Sequence, residues 1–405
     1  MAAKKIFSAS LLVVCLGYFA DSFDLFLYNA LRVPSLTELG LAGDALTRAG
    51  IWILNLQVAG VFIGGFVWGM LGDRVGRKKA LVGSVLLYSL GSIGCALVQS
   101  VSAYALMRFL TGFGLAGEIG LGATLIVETL RDRRRDWGMV AFVSFCNLGI
   151  LAANVLASFL PWRVCYAVGG ALGLAILLGR MALMESGLFE RMATSGVRRG
   201  ALGIFLKNRD MLKRWLLCVF FMMPYFYMLN LLVTLAPEFG LAVHAAAPIK
   251  ATTALMIYPA FVIPGTFLCV LACRVLKKRV RALALFMAIN VLITIIYLAQ
   301  REPTAFGFYA VCAVFGLANF YTLLLFLSVE QFGTNMRATL GTSAISTGRA
   351  TLVITNSVFL AFRAAGFDLI SSAAWVGVIV FAVGFACLLG LRETYHRDMD
   401  FIEEA

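Results

Sequence analysis

Five ionisable side chains lie inside long apolar stretches of this sequence, and they are the residues best placed to do chemistry. Asp21 and Asp24 are three residues apart, a spacing that puts both on one face of a helix. Arg108 and Glu118 share a second apolar run, and Arg349 lies in another. Because an ionisable group in apolar surroundings is costly unless it meets a partner or a polar cavity, each is a candidate functional residue.

Proton chemistry is the role that we assign to the acidic members of this set. A carboxylate that exchanges its proton for a salt bridge can couple proton movement to a conformational change. We expect Asp24 to be the proton-linked group and Arg108 its partner, with Asp21 and Glu118 as further proton-coupling residues. The alternative is that Arg108 only stabilises a turn of its own helix or a contact at the rim.

Arg349 is the expected anchor of a substrate. Its own half offers no obvious carboxylate, since Glu330 falls at the end of the preceding apolar run. A guanidinium binds a carboxylate through two parallel hydrogen bonds, so we expect a substrate anion here, with a contact to helix-end carbonyls as the alternative. Weaker substrate-binding candidates are aromatic and amide side chains, which more often pack or bond between helices: Tyr28, Gln57, Asn147, Tyr225, Asn319 and Tyr321.

The elements that must position these residues are membrane-spanning helices. Of the 405 residues, 61% are hydrophobic and 14% are charged, a balance far from that of soluble domains. Apolar runs of the length that crosses a bilayer are predicted over 6–29, 49–72, 79–99, 102–129, 137–160, 162–183, 214–237, 248–273, 282–300, 303–330, 338–364 and 369–391. These runs are long and continuous, which argues against a β-barrel and predicts an all-α membrane protein of twelve transmembrane helices.

The basic residues indicate the orientation of the predicted helices. Of the 34 Lys and Arg residues, 26 fall on one side and 6 on the other. The positive-inside rule therefore places both termini in the cytoplasm, in a multi-pass protein of a bacterial-type cytoplasmic (inner) membrane. The net charge of +13 then reflects topology and not nucleic-acid binding. The first run has full spanning length and no small-residue cleavage site, so we expect a retained helix and not a signal peptide.

A polar stretch divides the chain into two halves. We predict an N-terminal six-helix bundle over 1–184, a cytoplasmic linker over 185–213, a C-terminal six-helix bundle over 214–391 and a cytoplasmic tail over 392–405. Paired halves of this kind are typical of secondary transporters, whose substrate site lies between the halves near the middle of the membrane.

An internal repeat supports this division. Glu128 precedes Arg135 by seven residues, and Glu330 precedes Arg337 by the same interval. An offset of about 200 residues also aligns the loop at 72–81 with a second loop at 272–279, where the aspartate and the second glycine are lost. The halves therefore carry matching loops on the cytoplasmic side.

Enzyme chemistry and bound metals are not expected. The nine cysteines are scattered through the apolar runs, and the two histidines, His244 and His396, lie outside the helix centres, so no metal-binding spacing is present. We find no nucleophile, base or metal constellation at one membrane face. The sequence therefore predicts a protein that is not an enzyme and that needs no cofactor.

One segment carries a strong resemblance to a known family. Gly69-Met70-Leu71-Gly72-Asp73-Arg74-Val75-Gly76-Arg77-Lys78-Lys79 resembles the signature between helices 2 and 3 of the major facilitator superfamily. Other segments resemble its metabolite:proton symporter, sialate/lactate-like and sugar-porter-like branches: Arg108 to Gly114 with Gly117-Glu118, Arg180 with Glu185-Ser186, Glu330 to Thr339, and Gly348-Arg349. Gly187 replaces the proline usual after helix 6, and 138–162 lacks the Gly-Pro pair of drug:proton antiporters.

The resemblance implies a gate of salt bridges that lock one conformation and break in the other. Its expected members are the helix 2–3 loop and the acidic and basic residues that follow helices 4 and 10: Gly69, Asp73, Arg74, Gly76, Arg77, Glu128, Arg135, Glu330 and Arg337.

Together these observations predict a monomeric secondary transporter in the lipid bilayer that moves a small organic anion with protons, by alternating access between two halves. Transport of a polycarboxylate siderophore, or export, is an alternative that the same arginine would serve. A non-transporting sensor and a membrane-embedded enzyme fit less well, because the sequence shows neither a long signalling extension nor a reactive constellation.

Overall fold

A computed structural model describes residues 2–181, 185–193, 199–395 and 397–403. Residue 184, at the predicted end of the first bundle, and His396 lie outside these ranges. The described chain is helical, without a strand. Its helices are α1 (Ala2–Glu38), α2 (Gly43–Val75), α3 (Arg77–Leu97), α4 (Val101–Thr129), α5 (Asp132–Phe159), α6 (Trp162–Met181), α7 (Gly187–Ala193), α8 (Leu202–Lys207), α9 (Arg209–Phe220), α10 (Met223–Tyr227), α11 (Ala236–Ala242), α12 (Ala251–Leu276), α13 (Arg279–Leu298), α14 (Ala305–Leu317), α15 (Tyr321–Glu330), α16 (Arg337–Ala364) and α17 (Leu369–Gly390), with a π-helical stretch at Met228–Val233.

Twelve stretches of the described helices are long and apolar enough to cross a membrane. Six of them lie in α1 to α6, and four more lie in α12, α13, α16 and α17. The remaining two are each composed of consecutive helical pieces, Arg209–Val233 and Ala305–Glu330. The predicted all-α fold with twelve transmembrane helices is confirmed, and the protein is a multi-pass membrane protein.

The seventh and tenth spans are interrupted, which the sequence analysis did not predict. Pro224 stands at the start of α10, where its missing N–H ends the preceding run of hydrogen bonds. In the tenth span α14 ends at Leu317 and α15 begins at Tyr321. At this break the Asn290 side chain donates to the carbonyl of Ala318 over 2.8 Å. An amide from another helix thus satisfies a carbonyl that the break frees.

The chain forms two compact units. Unit 1 holds 1–208, 332–346 and 398–405, and unit 2 holds 209–331 and 347–397. Helix α16 therefore contributes its first ten residues to unit 1 and the rest to unit 2. The predicted four-part division of the chain stays a prediction.

Side-chain caps define where several helices begin. Ser100 accepts a hydrogen bond from the Ala103 N–H at the start of α4, and Thr304 accepts one from Gly307 at the start of α14. Asp368 accepts hydrogen bonds from Ile370 and Ser371 at the start of α17. Hydrogen bonding, first of all with the Ser371 side chain, lowers the pKa of Asp368 below its ordinary value.

Glycines allow α2 and α4 to approach closely within unit 1. A Cβ added at Gly60 would lie 2.3 Å from the carbonyl oxygen of Phe109, and one at Gly64 would lie 2.3 Å from that of Phe113. Trp68 extends this contact, since its indole N–H donates to the Phe113 carbonyl over 2.8 Å. Small residues at four-residue spacing thus set the distance between two membrane helices.

We expect Gly64→Ala to destabilise the protein by about 1–3 kcal/mol, because the new methyl group overlaps a backbone atom that cannot move alone. Gly203→Ala is the matched control, since a Cβ there meets no atom within 4 Å. Thermal unfolding in detergent compares the two variants with the wild type. Equal melting temperatures for both variants would show that the two helices do not depend on this contact.

Candidate functional site

The first buried ion pair of unit 1 joins α1 to α4. Arg108 donates to a carboxylate oxygen of Asp24 over 2.9 Å and to its backbone carbonyl over 3.3 Å. The Ser92 hydroxyl donates to the other carboxylate oxygen over 2.7 Å. The rings of Tyr28 and Tyr166 lie 5.3 and 5.4 Å from the guanidinium carbon, within cation–π range. The structure thus brings together the Asp24 and Arg108 side chains that the sequence analysis paired.

A second buried ion pair joins α4 to α6. Arg180 donates to one carboxylate oxygen of Glu118, and the Ser84 hydroxyl donates to the other over 3.0 Å. Both charged side chains are almost fully buried. Gly17 makes room for this pair, because a Cβ there would fall 1.8 Å from a guanidinium nitrogen of Arg180. Glu118 is one of the proton-coupling residues expected from the sequence, and its partner Arg180 was not predicted.

The third carboxyl group of this region is Asp21, which is fully buried on α1 between Gly17 and Asp24. In this region the described residues therefore hold three buried carboxyl groups and two guanidinium groups, those of Arg108 and Arg180. A proton on one of the carboxyl groups would balance the charges, which lowers the cost of burying the set.

Four of the predicted gating residues form a connected network in unit 1: Asp73, Arg77, Glu128 and Arg337. Glu128 accepts hydrogen bonds from Arg77 over 2.9 and 3.0 Å and from Arg337 over 3.0 Å. A guanidinium nitrogen of Arg77 also donates to the carbonyl of Thr334 over 2.8 Å. Glu128 is therefore the shared anion of two arginines that lie far apart in sequence.

Asp73 holds the first turn of α16. Its carboxylate accepts hydrogen bonds from the backbone N–H groups of Ala338 and Thr339 over 3.2 and 2.8 Å. A carboxylate at this position satisfies free helix N–H groups and matches the positive end of the helix dipole. Gly69 lies beside the same turn, where a Cβ would be 2.8 Å from the Ala338 carbonyl oxygen.

Gly76 occupies a backbone conformation that other residues rarely adopt, with φ of 113°. A Cβ at this position would also lie 2.4 Å from a carboxylate oxygen of Glu185. That carboxylate accepts hydrogen bonds from the Arg77 and Lys78 N–H groups over 3.0 and 3.1 Å, which caps the start of α3. The sequence analysis quoted Glu185 within the resemblance but gave it no role.

Unit 2 contains the same arrangement. Glu393 accepts from the N–H groups of Arg279 and Val280 over 2.8 and 3.2 Å at the start of α13. The Arg279 side chain pairs with Glu330 over 2.8 Å. Arg279 therefore takes the place that Arg77 has in unit 1, at the sequence offset that relates Glu128 to Glu330. The looser offset used in the sequence analysis, which set Arg77 opposite Lys277, is corrected by these contacts.

Arg74 and Arg135, two further predicted gating residues, differ in exposure. Arg74 is exposed. Arg135 is buried and its Nε donates to the backbone carbonyl of Leu130 over 3.1 Å, at the end of α4.

The substrate-binding candidates of unit 1 have different surroundings. The Asn147 amide donates to the Val143 carbonyl of its own helix over 2.8 Å, and the Tyr28 hydroxyl donates to the Gly50 carbonyl over 2.9 Å. Gln57 is fully buried, and its side-chain amide has no hydrogen-bond partner in the described part of the chain. Of these three, Gln57 keeps its full hydrogen-bonding capacity for a ligand.

Three of the four substrate-binding candidates of unit 2, Tyr225, Asn319 and Tyr321, lie in its two broken spans. The rings of Tyr225 and Tyr321 stack with centroids 4.5 Å apart. Asn319 accepts a hydrogen bond from the Tyr321 N–H over 3.1 Å, while its own amide nitrogen has no partner among the described residues. Arg349 lies on α16 with a partly exposed side chain.

The Glu118–Arg180 pair can be tested by a double-mutant cycle. We expect Glu118→Gln or Arg180→Gln alone to lower the unfolding free energy by about 3–5 kcal/mol, because each leaves an uncompensated buried charge. The double variant should lose less than the sum of the two, since neither charge remains. The control is the same double-mutant cycle on the partly exposed pair of Glu38 and Arg163. For this pair we expect a coupling energy of at most about 1 kcal/mol. Additive losses at Glu118 and Arg180 would contradict a coupled pair.

Comparison with known proteins places the fold. Solved structures of the proton:xylose symporter XylE and of the transporter FucP in the outward conformation both superpose with a TM-score of 0.74. The XylE structure is 16% identical in sequence, and the match covers 99% of this chain and 98% of XylE. The FucP structure is 14% identical, and the match covers 94% of this chain and 97% of FucP. Similarity at this level of identity establishes the fold alone.

Curated relatives match part of the chain. The putative niacin/nicotinamide transporter NiaP of Bacillus subtilis (strain 168) is 29% identical over 45% of this chain and 45% of its own. The 3-(3-hydroxy-phenyl)propionate transporter of Escherichia coli (strain K12) is 31% identical over 55% and 58%, and the gallate transporter of Pseudomonas putida is 29% identical over 41% and 37%. The matched region therefore spans between 37% and 58% of the length of these relatives.

A family model adds the last comparison, and it covers most of the spans and the buried charges described above. The model of the Major Facilitator Superfamily matches residues 14–354. The chain belongs to the Major Facilitator Superfamily.

Proposed function

We propose that this protein is a secondary transporter that moves a small organic anion across the cytoplasmic membrane together with protons, by alternating access. The observation that carries the proposal is the buried Asp24–Arg108 pair, beside which Asp21 and the Glu118–Arg180 pair lie in the same unit. A protein with only a structural use for its membrane helices has no need to bury this many ionisable groups.

The proton is the coupling ion that suits this set of groups. Three carboxylates and two guanidinium groups together carry one negative charge in excess, and one bound proton neutralises it. Protonation of Asp24 would weaken its hold on Arg108, and the freed guanidinium could then reorganise its contacts with Tyr28 and Tyr166. Proton binding and a change in helix contacts would thereby be linked.

The substrate class follows from different observations. Arg349 offers a guanidinium within a membrane span of unit 2, and carboxylates are natural partners of such a group. Three relatives carry the names of small carboxylic acids, which are niacin, gallate and 3-(3-hydroxy-phenyl)propionate. A carboxylate-bearing metabolite therefore fits both the residue and the relatives. A polycarboxylate siderophore is the second candidate, because the same arginine would bind it.

Alternating access would use the network around Glu128 as a gate. In this structure Glu128 holds Arg77 and Arg337, and Asp73 holds the first turn of α16. These contacts tie the start of α16 to the ends of α2 and α4 and to the start of α3 within unit 1. Breaking them would release α16 for the opposite state of the cycle.

Transport by the purified protein in liposomes tests the proposal. We expect internal acidification when nicotinate, gallate or 3-(3-hydroxyphenyl)propionate is added outside, measured with a trapped pH dye against citrate as a tricarboxylate comparison. Asp24→Asn should abolish the proton signal because its side chain can no longer exchange a proton. Arg349→Ala should abolish it because the acid loses its guanidinium partner.

The matched controls are Asp368→Asn, an exposed helix cap, and Arg363→Ala, an arginine near the end of α16, and both should acidify like the wild type. Acidification by citrate alone would favour the polycarboxylate alternative. Outward movement of preloaded acid against a proton gradient would favour export. Silence of the folded wild type towards every acid would refute proton-coupled anion uptake.

The gate predicts a change in accessibility. We expect Glu128→Gln to raise the rate at which a cysteine introduced by Thr342→Cys reacts with a soluble maleimide, by a factor on the order of 10, because two arginines lose their shared anion. Thr342 is buried against Gly120, and the nine native cysteines are buried. Glu190→Gln, at an exposed carboxylate, is the control. An unchanged labelling rate in the Glu128 variant would show that this network does not hold the gate.

A further inference from the structure

Residues 398–403, which we call the tail segment, pack along the loop that precedes α16. This loop comprises residues 332–336, and both parts belong to unit 1. The Thr334 N–H donates to the carbonyl of Phe401 over 2.8 Å, and the Thr334 hydroxyl donates to the carbonyl of Met399 over 3.0 Å. One loop residue therefore binds two backbone carbonyls of the tail segment.

Asn335 holds the tail segment at Glu403. The side-chain amide nitrogen of Asn335 donates to the Glu403 carbonyl over 3.0 Å, and its amide oxygen accepts from the Glu403 N–H over 2.9 Å. The Gly333 N–H also donates to the Glu403 carboxylate over 3.0 Å. An amide that pairs with both backbone groups of one residue fixes the position of the chain there.

Gly333 shows how closely the loop and the tail segment approach each other. A Cβ added at Gly333 would lie 2.7 Å from the backbone nitrogen of Glu403 and 3.0 Å from the carbonyl carbon of Ile402. These are atoms of the tail segment and not of a flexible side chain. A methyl group at position 333 therefore requires the tail segment to move.

Arg337 links this packing to the proposed gate. The residue is fully buried, and one terminal nitrogen of its guanidinium donates to Glu128 over 3.0 Å. The other terminal nitrogen donates to the Met399 carbonyl over 2.7 Å, and the Phe401 ring lies 5.6 Å from the guanidinium carbon, within cation–π range. Because a buried guanidinium needs acceptors for its N–H groups, the tail segment supplies part of the environment that keeps Arg337 beside Glu128.

We propose that the tail segment is a latch of the gate. It holds Arg337 beside Glu128 in this state and leaves the loop at 332–336 when the gate opens. The latch rests on the alternating-access function proposed above and adds a regulatory element to it. Ordering the tail segment costs conformational entropy that its hydrogen bonds must offset, so one clash or one lost clamp shifts the balance towards release.

The latch and the gate act on each other to the same extent. If the bound tail segment favours the contact of Arg337 with Glu128, that contact favours the bound tail segment by the same free energy. Displacing the tail segment should therefore loosen the gate, and breaking the gate at Glu128 should loosen the tail segment.

Two variants displace the tail segment and leave Arg337 and Glu128 in place. Gly333→Ala puts a methyl group against the backbone of Glu403, and Asn335→Ala removes the amide that binds the same residue. Gly203→Ala is the matched control, because a Cβ there meets no atom within 4 Å. Thermal unfolding in detergent checks that each variant folds.

A cysteine introduced by Met399→Cys reports on the tail segment itself. It keeps the backbone carbonyl that Arg337 binds, and Met399 is buried, as are the nine native cysteines. We expect Gly333→Ala and Asn335→Ala each to raise its rate of reaction with a soluble maleimide by a factor on the order of 10. Through the linkage described above, Glu128→Gln should raise the same rate by a factor on the order of 5.

The cysteine of Thr342→Cys, used above for the gate, gives the second measurement. We expect Gly333→Ala and Asn335→Ala to raise its labelling rate by a factor on the order of 5, because Arg337 loses an acceptor when the tail segment leaves. Gly203→Ala should label like the chain that carries Thr342→Cys alone.

The labelling rates also define how the latch would fail. Unchanged labelling of Met399→Cys in both tail variants would show that these contacts do not hold the tail segment. Faster labelling at Met399→Cys with an unchanged rate at Thr342→Cys would show that the tail segment leaves without affecting the gate. Unchanged labelling at both cysteines in Glu128→Gln would overturn the gate and the latch together. Labelling involves neither acid nor proton, so failure of the proposed anion transport appears separately, in the liposome assay.

Discussion

A charged side chain can remain in the interior of a membrane protein only beside a partner, and this requirement organises the first six helices. Asp24 and Arg108 tie α1 to α4, and Glu118 and Arg180 tie α4 to α6. The serines of α3 supply the remaining hydrogen bonds to both carboxylates. The glycine at position 17 follows from the same requirement, because Arg180 reaches Glu118 through the space that a side chain there would fill. Polar chemistry and helix spacing in unit 1 therefore have a common origin.

The sequence was sufficient to predict the helix count and one of the two ion pairs. Hydropathy alone identifies twelve spans, and Asp24 and Arg108 stand out as charges within them. The Glu118–Arg180 pair was missed because Arg180 comes at the end of the sixth span, where a basic residue is already explained by topology. The break after Leu317 was missed because no proline marks it and Ala305–Glu330 is apolar enough overall to be read as one continuous helix.

The repeat between the halves shows which parts of the loop signature are structural. Arg77, Glu128 and Glu185 in unit 1 correspond to Arg279, Glu330 and Glu393 in unit 2, with the same carboxylate at the start of the third helix of each half. Capping a helix start is needed in both units. Asp73 has no acidic counterpart in the second loop. Its carboxylate caps the start of α16. The loop signature therefore combines two features. The first is a carboxylate cap at the start of the third helix, which both halves have, and the second is the contact of Asp73 with α16, which is described for the first half.

Helix α16 carries both a part of the proposed gate and the proposed substrate anchor. Its first residue, Arg337, binds Glu128, and its first turn is held by Asp73, both in unit 1. Arg349 lies twelve residues further along the same helix, about 18 Å from its start, in unit 2. If a bound anion displaced this helix, the contacts of Arg337 would have to change with it. In the proposed cycle, substrate binding and opening of the gate are therefore linked because both depend on the position of α16.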